Sequence, residues 1–150
     1  MIGYVTLGTN DLKRSAAFYE ALLGEIGARP GGNRPRILEM AYGIDMLYAY
    51  YQILRGEAPD LKATRNLAAS IITPFAPCKG KLLSLRHLDE IPKLPGYLYH
   101  EVRAQPGQQV GPSKGGYRAG LYIELLSAEV EEVRRSVDEI ASWTDLYEVE

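Results

Sequence analysis

One cysteine, two histidines, one tryptophan and two phenylalanines stand in a chain of 150 residues, and each scarcity narrows the field. With Cys78 alone no internal disulfide can form, which fits a cytoplasmic location. A zinc site would have to be assembled from His87, His100 and carboxylates, and no third ligand stands in register with them. No apolar run approaches the roughly 18–20 residues that cross a bilayer, so no membrane partner is expected. The N-terminus lacks a basic segment followed by an apolar run and a cleavage site, so no signal peptide is expected either. A formal net charge of −2 offers no basic footprint for nucleic acid.

The chain does have an apolar fraction of 46% and a charged fraction of 24%, the balance of a globular domain or of two small ones sharing a core. Its acids gather late. The last thirty residues hold Glu124, Glu129, Glu131, Glu132, Asp138, Glu139, Asp145, Glu148 and Glu150 against only Arg134 and Arg135. The simplest reading is a solvated helix face with a short acidic tail; a docking surface for a basic partner is the other.

Periodicity gives a coarse map. Residues 1–7 read as a strand, and Thr9 or Asn10 caps a helix carrying Leu12, Ala16, Tyr19 and Leu23 on one face. After a Pro- and Gly-rich turn at 29–33, Pro35 suits the first turn of a second helix that runs to Gly56, with Gly43 as an interruption or kink. Strands follow at 68–75, 81–85, 97–103 and 119–126, and Ser127 caps a closing helix with an apolar stripe of Val130, Val133, Val137 and Ile140. The pattern predicts an α+β fold: a mostly antiparallel sheet with two or three helices packed on one face. Eleven tyrosines include Tyr48 and Tyr51, expected to face the core, and Tyr50, expected on a dimer or partner surface, so a homo-oligomer is anticipated.

Two stretches carry candidate chemistry. Glu25 and Arg29 lie four residues apart ahead of Pro30, Gly31 and Gly32. An acid for a magnesium ion and a guanidinium for phosphate oxygens fit such a unit. An ordinary surface pair, contributing about 0–1 kcal/mol, fits it too. The run from Gly115 to Gly120 can cradle an anion through backbone N–H groups, with charge added by Lys114 and Arg118, or serve only as a loop leading into a strand.

Resemblance sharpens both. Glu25-Ile26-Gly27-Ala28-Arg29-Pro30-Gly31-Gly32, then Ala41-Tyr42-Gly43-Ile44-Asp45, Leu94-Pro95-Gly96, Pro106-Gly107 and Gly116-Tyr117-Arg118-Ala119-Gly120 follow one another in an order and spacing that resembles the C-terminal part of ATP-grasp enzymes. In particular it resembles the carboxylate–amine ligases that join amino acids. The resemblance implies ATP and Mg2+ as cofactors. It implies Glu25 as the metal ligand, Arg29 as the catalytic contact to phosphate or acyl phosphate, and Arg29, Gly31 and Gly32 as the cofactor-binding turn. Many members carry Asn two residues after the glutamate, where this chain has Gly27. The nucleotide-binding region that precedes this point in the family is not recognisable in residues 1–24.

Those residues are similar to something else. Met1-Ile2-Gly3-Tyr4-Val5-Thr6-Leu7-Gly8-Thr9-Asn10-Asp11-Leu12, with Ser15-Ala16-Ala17-Phe18-Tyr19 and Leu22-Leu23, resembles the opening strand and helix of the vicinal-oxygen-chelate fold of glyoxalases and antibiotic-binding resistance proteins. Tyr4 stands where metal-binding members place His, Gln or Glu. The chain therefore reads as a fusion of residues 1–24 with residues 25–150. Its expected function is an ATP-grasp-like ligase region without turnover of its own, acting on a small-molecule substrate or nucleotide. The alternatives are a self-associating binding module and a vicinal-oxygen-chelate-type metal or ligand binder.

Overall fold

Two turns near the start of the structure decide how the first helices are laid out. α1 (Arg34–Tyr42) begins with Pro35 in its first turn, where the missing N–H is not needed. It ends at Gly43, which adopts φ 70° and ψ 23° and donates its N–H to the Glu39 carbonyl at 2.8 Å. α2 (Met46–Leu54) starts at Asp45, whose Oδ1 accepts from the N–H groups of Leu47 at 3.0 Å and Tyr48 at 2.9 Å. The single helix expected from Pro35 to Gly56 is therefore two. A left-handed glycine closes one, and an aspartate two residues later satisfies the orphan donors of the next.

The computed structural model describes residues 33–150, which belong to one compact unit. The expected strand and helix of residues 1–24, Tyr4, and the candidates Glu25, Arg29, Gly31 and Gly32 lie outside the described residues.

Six strands follow α2: β1 (Ala68–Ile72), β2 (Gly80–Leu85), β3 (Tyr97–Val102), β4 (Gln109–Val110), β5 (Leu121–Ser127) and, after α3 (Val130–Ser142), β6 (Tyr147–Val149). They form two antiparallel three-stranded sheets, ordered β1–β5–β3 and β4–β2–β6. Helices packed on antiparallel sheets are the α+β class read from the sequence. β1 stops before Pro74, which cannot donate to a ladder. The expected acidic tail is instead a strand: β6 pairs with β2, and Glu150 exchanges both backbone hydrogen bonds with Lys81.

β5 is the axis of the fold. Leu121, Ile123 and Leu125 point to one side and pack with Val133 and Ile140 of α3, joined by Leu82, Ile91, Leu94, Val110 and Leu146. Val130 does not join this stripe and is exposed. Ser127 holds the start of α3 by accepting from the Glu129 N–H and donating to the Glu132 carboxylate at 2.6 Å. β3 carries one extra residue, Leu98, between Tyr97 and Tyr99, and β2 carries Leu83 in the same way. Among the described residues no helix is long and apolar enough to cross a membrane.

The layout of α1 and α2 makes a comparison of two glycines informative. Both Gly43 and Gly56 hold positive φ, and an alanine there costs about 1–2 kcal/mol from conformation alone. A Cβ at Gly56 meets open space, whereas at Gly43 it runs into Thr64 Oγ1. Gly43→Ala should lower the urea midpoint more than Gly56→Ala does; equal losses would mean that Thr64 turns aside freely.

Candidate functional site

Among the described residues, the run Gly116-Tyr117-Arg118-Ala119-Gly120 is the part of the resemblance that forms a concave surface. A short 3-10 turn at Ser113–Gly115 leads into Gly116, which takes φ 76° and ψ 10° with open space where a side chain would stand. The ring of Tyr117 lies directly on the backbones of Gly111 and Gly115, where any Cβ would come within 2.8 Å of it. Gly120 donates its N–H to the Tyr147 hydroxyl at 2.9 Å, and that hydroxyl donates to the Pro74 carbonyl at 2.7 Å. The loop is thus held by Tyr117 packed on two of its glycines and by the Tyr147 hydroxyl at Gly120.

Together with the segment that joins β3 to β4, this loop borders an open cleft of about 380 Å³ lined by Arg103, Gln108, Gln109, Gly116, Tyr117 and Arg118, among others. Two arginines and two glutamines are among the lining residues, and no aspartate or glutamate is. Such a lining suits an anion rather than a magnesium ion. Arg118 is among the lining residues, and Lys114 is not. Arg103 was read only as the end of a strand; it reaches the cleft because β3 ends beside the loop.

Arg103 is also the last member of a buttressed chain of contacts. Its Nε donates to Glu101 at 2.8 Å, and its guanidinium lies 4.2 Å above the ring of Tyr122. The Tyr122 hydroxyl donates to Glu124 Oε1 at 2.8 Å. Arg36 of α1 grips both carboxylate oxygens of Glu124, through Nε and Nη2 at 2.9 Å each. Glu124 is 4% exposed. The Arg36 hydrogen bonds hold its carboxyl below the usual range against the opposing effect of burial. Burial, and then the bond to Glu124, push the Tyr122 phenol up to about 12. Glu124 escaped the sequence reading, which counted it among the late acids. The signal available was its place as the one acid inside an apolar strand.

A second cluster surrounds His87, a non-glycine residue at φ 61°. Nδ1 faces Glu90 at 3.0 Å and Nε2 faces Asp145 at 2.8 Å, so the doubly protonated ring, which donates from both nitrogens, is favoured. The ring stacks on Trp143 with centroids 5.0 Å apart and planes 9° from parallel. Arg86 bridges Asp145 and Glu148 at 3.4 Å each, and Ser84 donates to Glu148 at 2.7 Å. His100 lies elsewhere, with its Nδ1 2.9 Å from the Tyr97 hydroxyl, so the structure does not bring the two histidines together. Cys78 is exposed.

Two further motif segments of the resemblance are turns. Pro95 accepts a hydrogen bond from the buried Ser136 hydroxyl at 2.7 Å, Gly96 packs against the Leu126 carbonyl, and Pro106-Gly107 joins β3 to β4. No protein-family model matches this chain, and no curated protein matches it.

Two outcomes follow from these clusters. Arg36 is half exposed and keeps water if Glu124 is removed, whereas a buried Glu124 without Arg36 keeps only Tyr122. Arg36→Met should therefore destabilise more than Glu124→Gln, by about 2 kcal/mol or more in urea unfolding, and should regain stability as pH falls and the stranded carboxyl takes a proton. For His87, the bond to Asp145 and then that to Glu90 raise the pKa above its ordinary 6.5, while Asp145 is lowered from 3.8, first by His87. The histidine's contribution is full below pH 6.5 and is lost as pH rises through the raised value. The aspartate's contribution is present above pH 3.8 and fades as pH falls through the lowered value. Trp143 is the sole tryptophan, and an imidazolium quenches indole emission. Its fluorescence should rise with a midpoint above pH 6.5, and Asp145→Asn should move that midpoint down.

Proposed function

We propose that residues 25–150 are the C-terminal region of an ATP-grasp-like carboxylate–amine ligase, and that the arginine-lined cleft takes an anionic group of a small substrate or nucleotide. The observation that carries this reading is the convergence of Arg103 and Arg118 on a loop that is itself one of the motif segments. A volume of about 380 Å³ is within the range of small-molecule sites. In the reaction of such ligases ATP phosphorylates a carboxylate and an amine attacks the acyl phosphate. The contribution of fixed guanidinium groups is to hold the anion and offset its charge. Tyr122, oriented by Glu124, presents its ring to Arg103 and so keeps one of the two guanidiniums in place.

Glu25 for Mg2+ and Arg29 with Gly31 and Gly32 for the nucleotide phosphates remain part of the proposal on the strength of the resemblance alone. No ligase turnover is expected from this chain by itself, because the nucleotide-binding region of the family is not recognisable in its sequence. A self-associating module without chemistry is the second reading, favoured by the exposed apolar side of α2.

Isothermal titration with inorganic phosphate, acetate and Mg–ATP tests the cleft. Saturable binding is expected, weakened at least about tenfold by Arg118→Ala or Arg103→Ala, as loss of one charge-assisted hydrogen bond implies. No heat with any of the three would overturn the anion-binding reading. Steady ADP release with pairs of amino acids, abolished by Arg29→Ala, would overturn the expectation of no turnover.

A further inference from the structure

α2 carries no charged residue between its two ends. Ala49 is buried, and Met46, Tyr50 and Ile53 are half-buried on one side. On the other side Leu47, Tyr48, Tyr51 and Leu54 are exposed by 59, 60, 63 and 65%. This reverses the expected placing of the tyrosines, since Tyr48 and Tyr51 face outward and Tyr50 turns in. A helix that is apolar all round is ordinarily covered all round. Leu47, Tyr51 and Leu54, spaced by four and three, form one stripe along it.

We propose that this stripe is the interface between two copies of this chain, with their α2 helices packed antiparallel about a two-fold axis near Tyr51. The charges at its ends select that occupant. Asp45 stands at the N-terminal end of α2 and Arg55 at the C-terminal end. An antiparallel register that sets Leu47 against the partner's Leu54 also sets Asp45 at the level of the partner's Arg55 along the seam, twice over by symmetry. Both contacts arise from a single register, and the helix dipoles oppose favourably in it. A parallel pair would set like charges together. Both groups have capacity for the contact. Asp45 uses only Oδ1 for capping, and its Oδ2 accepts no hydrogen bond among the described residues. Arg55 makes an ion pair with Glu57 at 2.9 Å in which both side chains are largely exposed, an interaction of little strength that exchange can replace. A seam of nine residues is short against a standard interface, so the dimer is weak and depends on concentration.

The inference stands whether or not the cleft takes an anion, and its test leaves the cleft and Arg29 untouched. Sedimentation equilibrium of the full chain should give a monomer–dimer equilibrium that weakens as salt rises. Leu47→Lys should weaken it more than tenfold with an unchanged circular dichroism spectrum. Arg55→Glu, which sets an acid against the partner's Asp45 at each end of the seam, should weaken it and reverse the salt dependence. Tyr51→Cys with Cys78→Ser should yield a disulfide-linked dimer under mild oxidation, which reads the axis directly. A monomer at every concentration overturns the proposal, and so does a dimer indifferent to Leu47→Lys and Arg55→Glu. A monomer that Leu47→Lys destabilises would assign the stripe to another part of the same chain, and overturns it equally.

Discussion

Glu124 sits in the middle strand of a sheet, paired on one side with β1 and on the other with β3, and a carboxylate there loses the water that would otherwise solvate it. It has to be answered from within the protein. Arg36, 88 positions earlier in the chain, answers it with two parallel hydrogen bonds, and Tyr122 adds a third from the same face of the strand. The sheet is therefore satisfied only with α1 in place. A leucine at this position would remove the desolvation cost, and with it the polar contact that fixes Arg36 of α1 here, leaving the buried Met40 and Ala41 to seat the helix. The pair thus specifies an arrangement more than it adds stability. Its effect extends outward, because the tyrosine that Glu124 holds is the platform on which Arg103 rests at the cleft.

The second joint is the hydroxyl of Tyr147. It accepts from Gly120, at the end of the cleft loop, and donates to Pro74, just beyond β1, while its own residue belongs to β6 in the other sheet. Both ends of the hydroxyl's hydrogen-bonding capacity are used, and burial raises its pKa, so it stays protonated and keeps donating. The close approach of its ring to Gly120 leaves no space for a side chain there. The shape of the cleft is in this way coupled to the docking of the C-terminal strand.

The parts of this fold that local pattern determines were legible. Alternation and prolines located β1, β2, β3 and β5 to within a few residues, and the valine and isoleucine spacing located α3. What could not be read depends on partners far away in sequence. β6 looks like an acidic tail until it is paired with β2, and Glu124 looks like any late acid until Arg36 is placed beside it. Arg103 and Arg118 line one cleft, a proximity that their spacing in the sequence does not show. The break at Gly43 was visible as a residue type. That it ends one helix, with Asp45 starting another, needed the backbone angles. The outward turn of Tyr48 and Tyr51 followed from that break, which reset the helical phase. The sharpest chemical candidates, Glu25 and Arg29, lie outside the described residues.

The extra residue in β3 has a consequence for solubility. Among the described residues β3 forms an outer edge of its sheet, and Leu98, Tyr99 and Val102 are substantially exposed along it. A flat edge of that composition is a template for a strand from another molecule and, in the worst case, for fibre growth. Leu98 interrupts the ladder, deepens the local twist and throws the next residues out of the plane that a foreign strand would need. The ion pair of Glu101 with Arg103 adds charge to the same edge. An irregularity of one residue thus serves as a guard, keeping an apolar edge from recruiting neighbours.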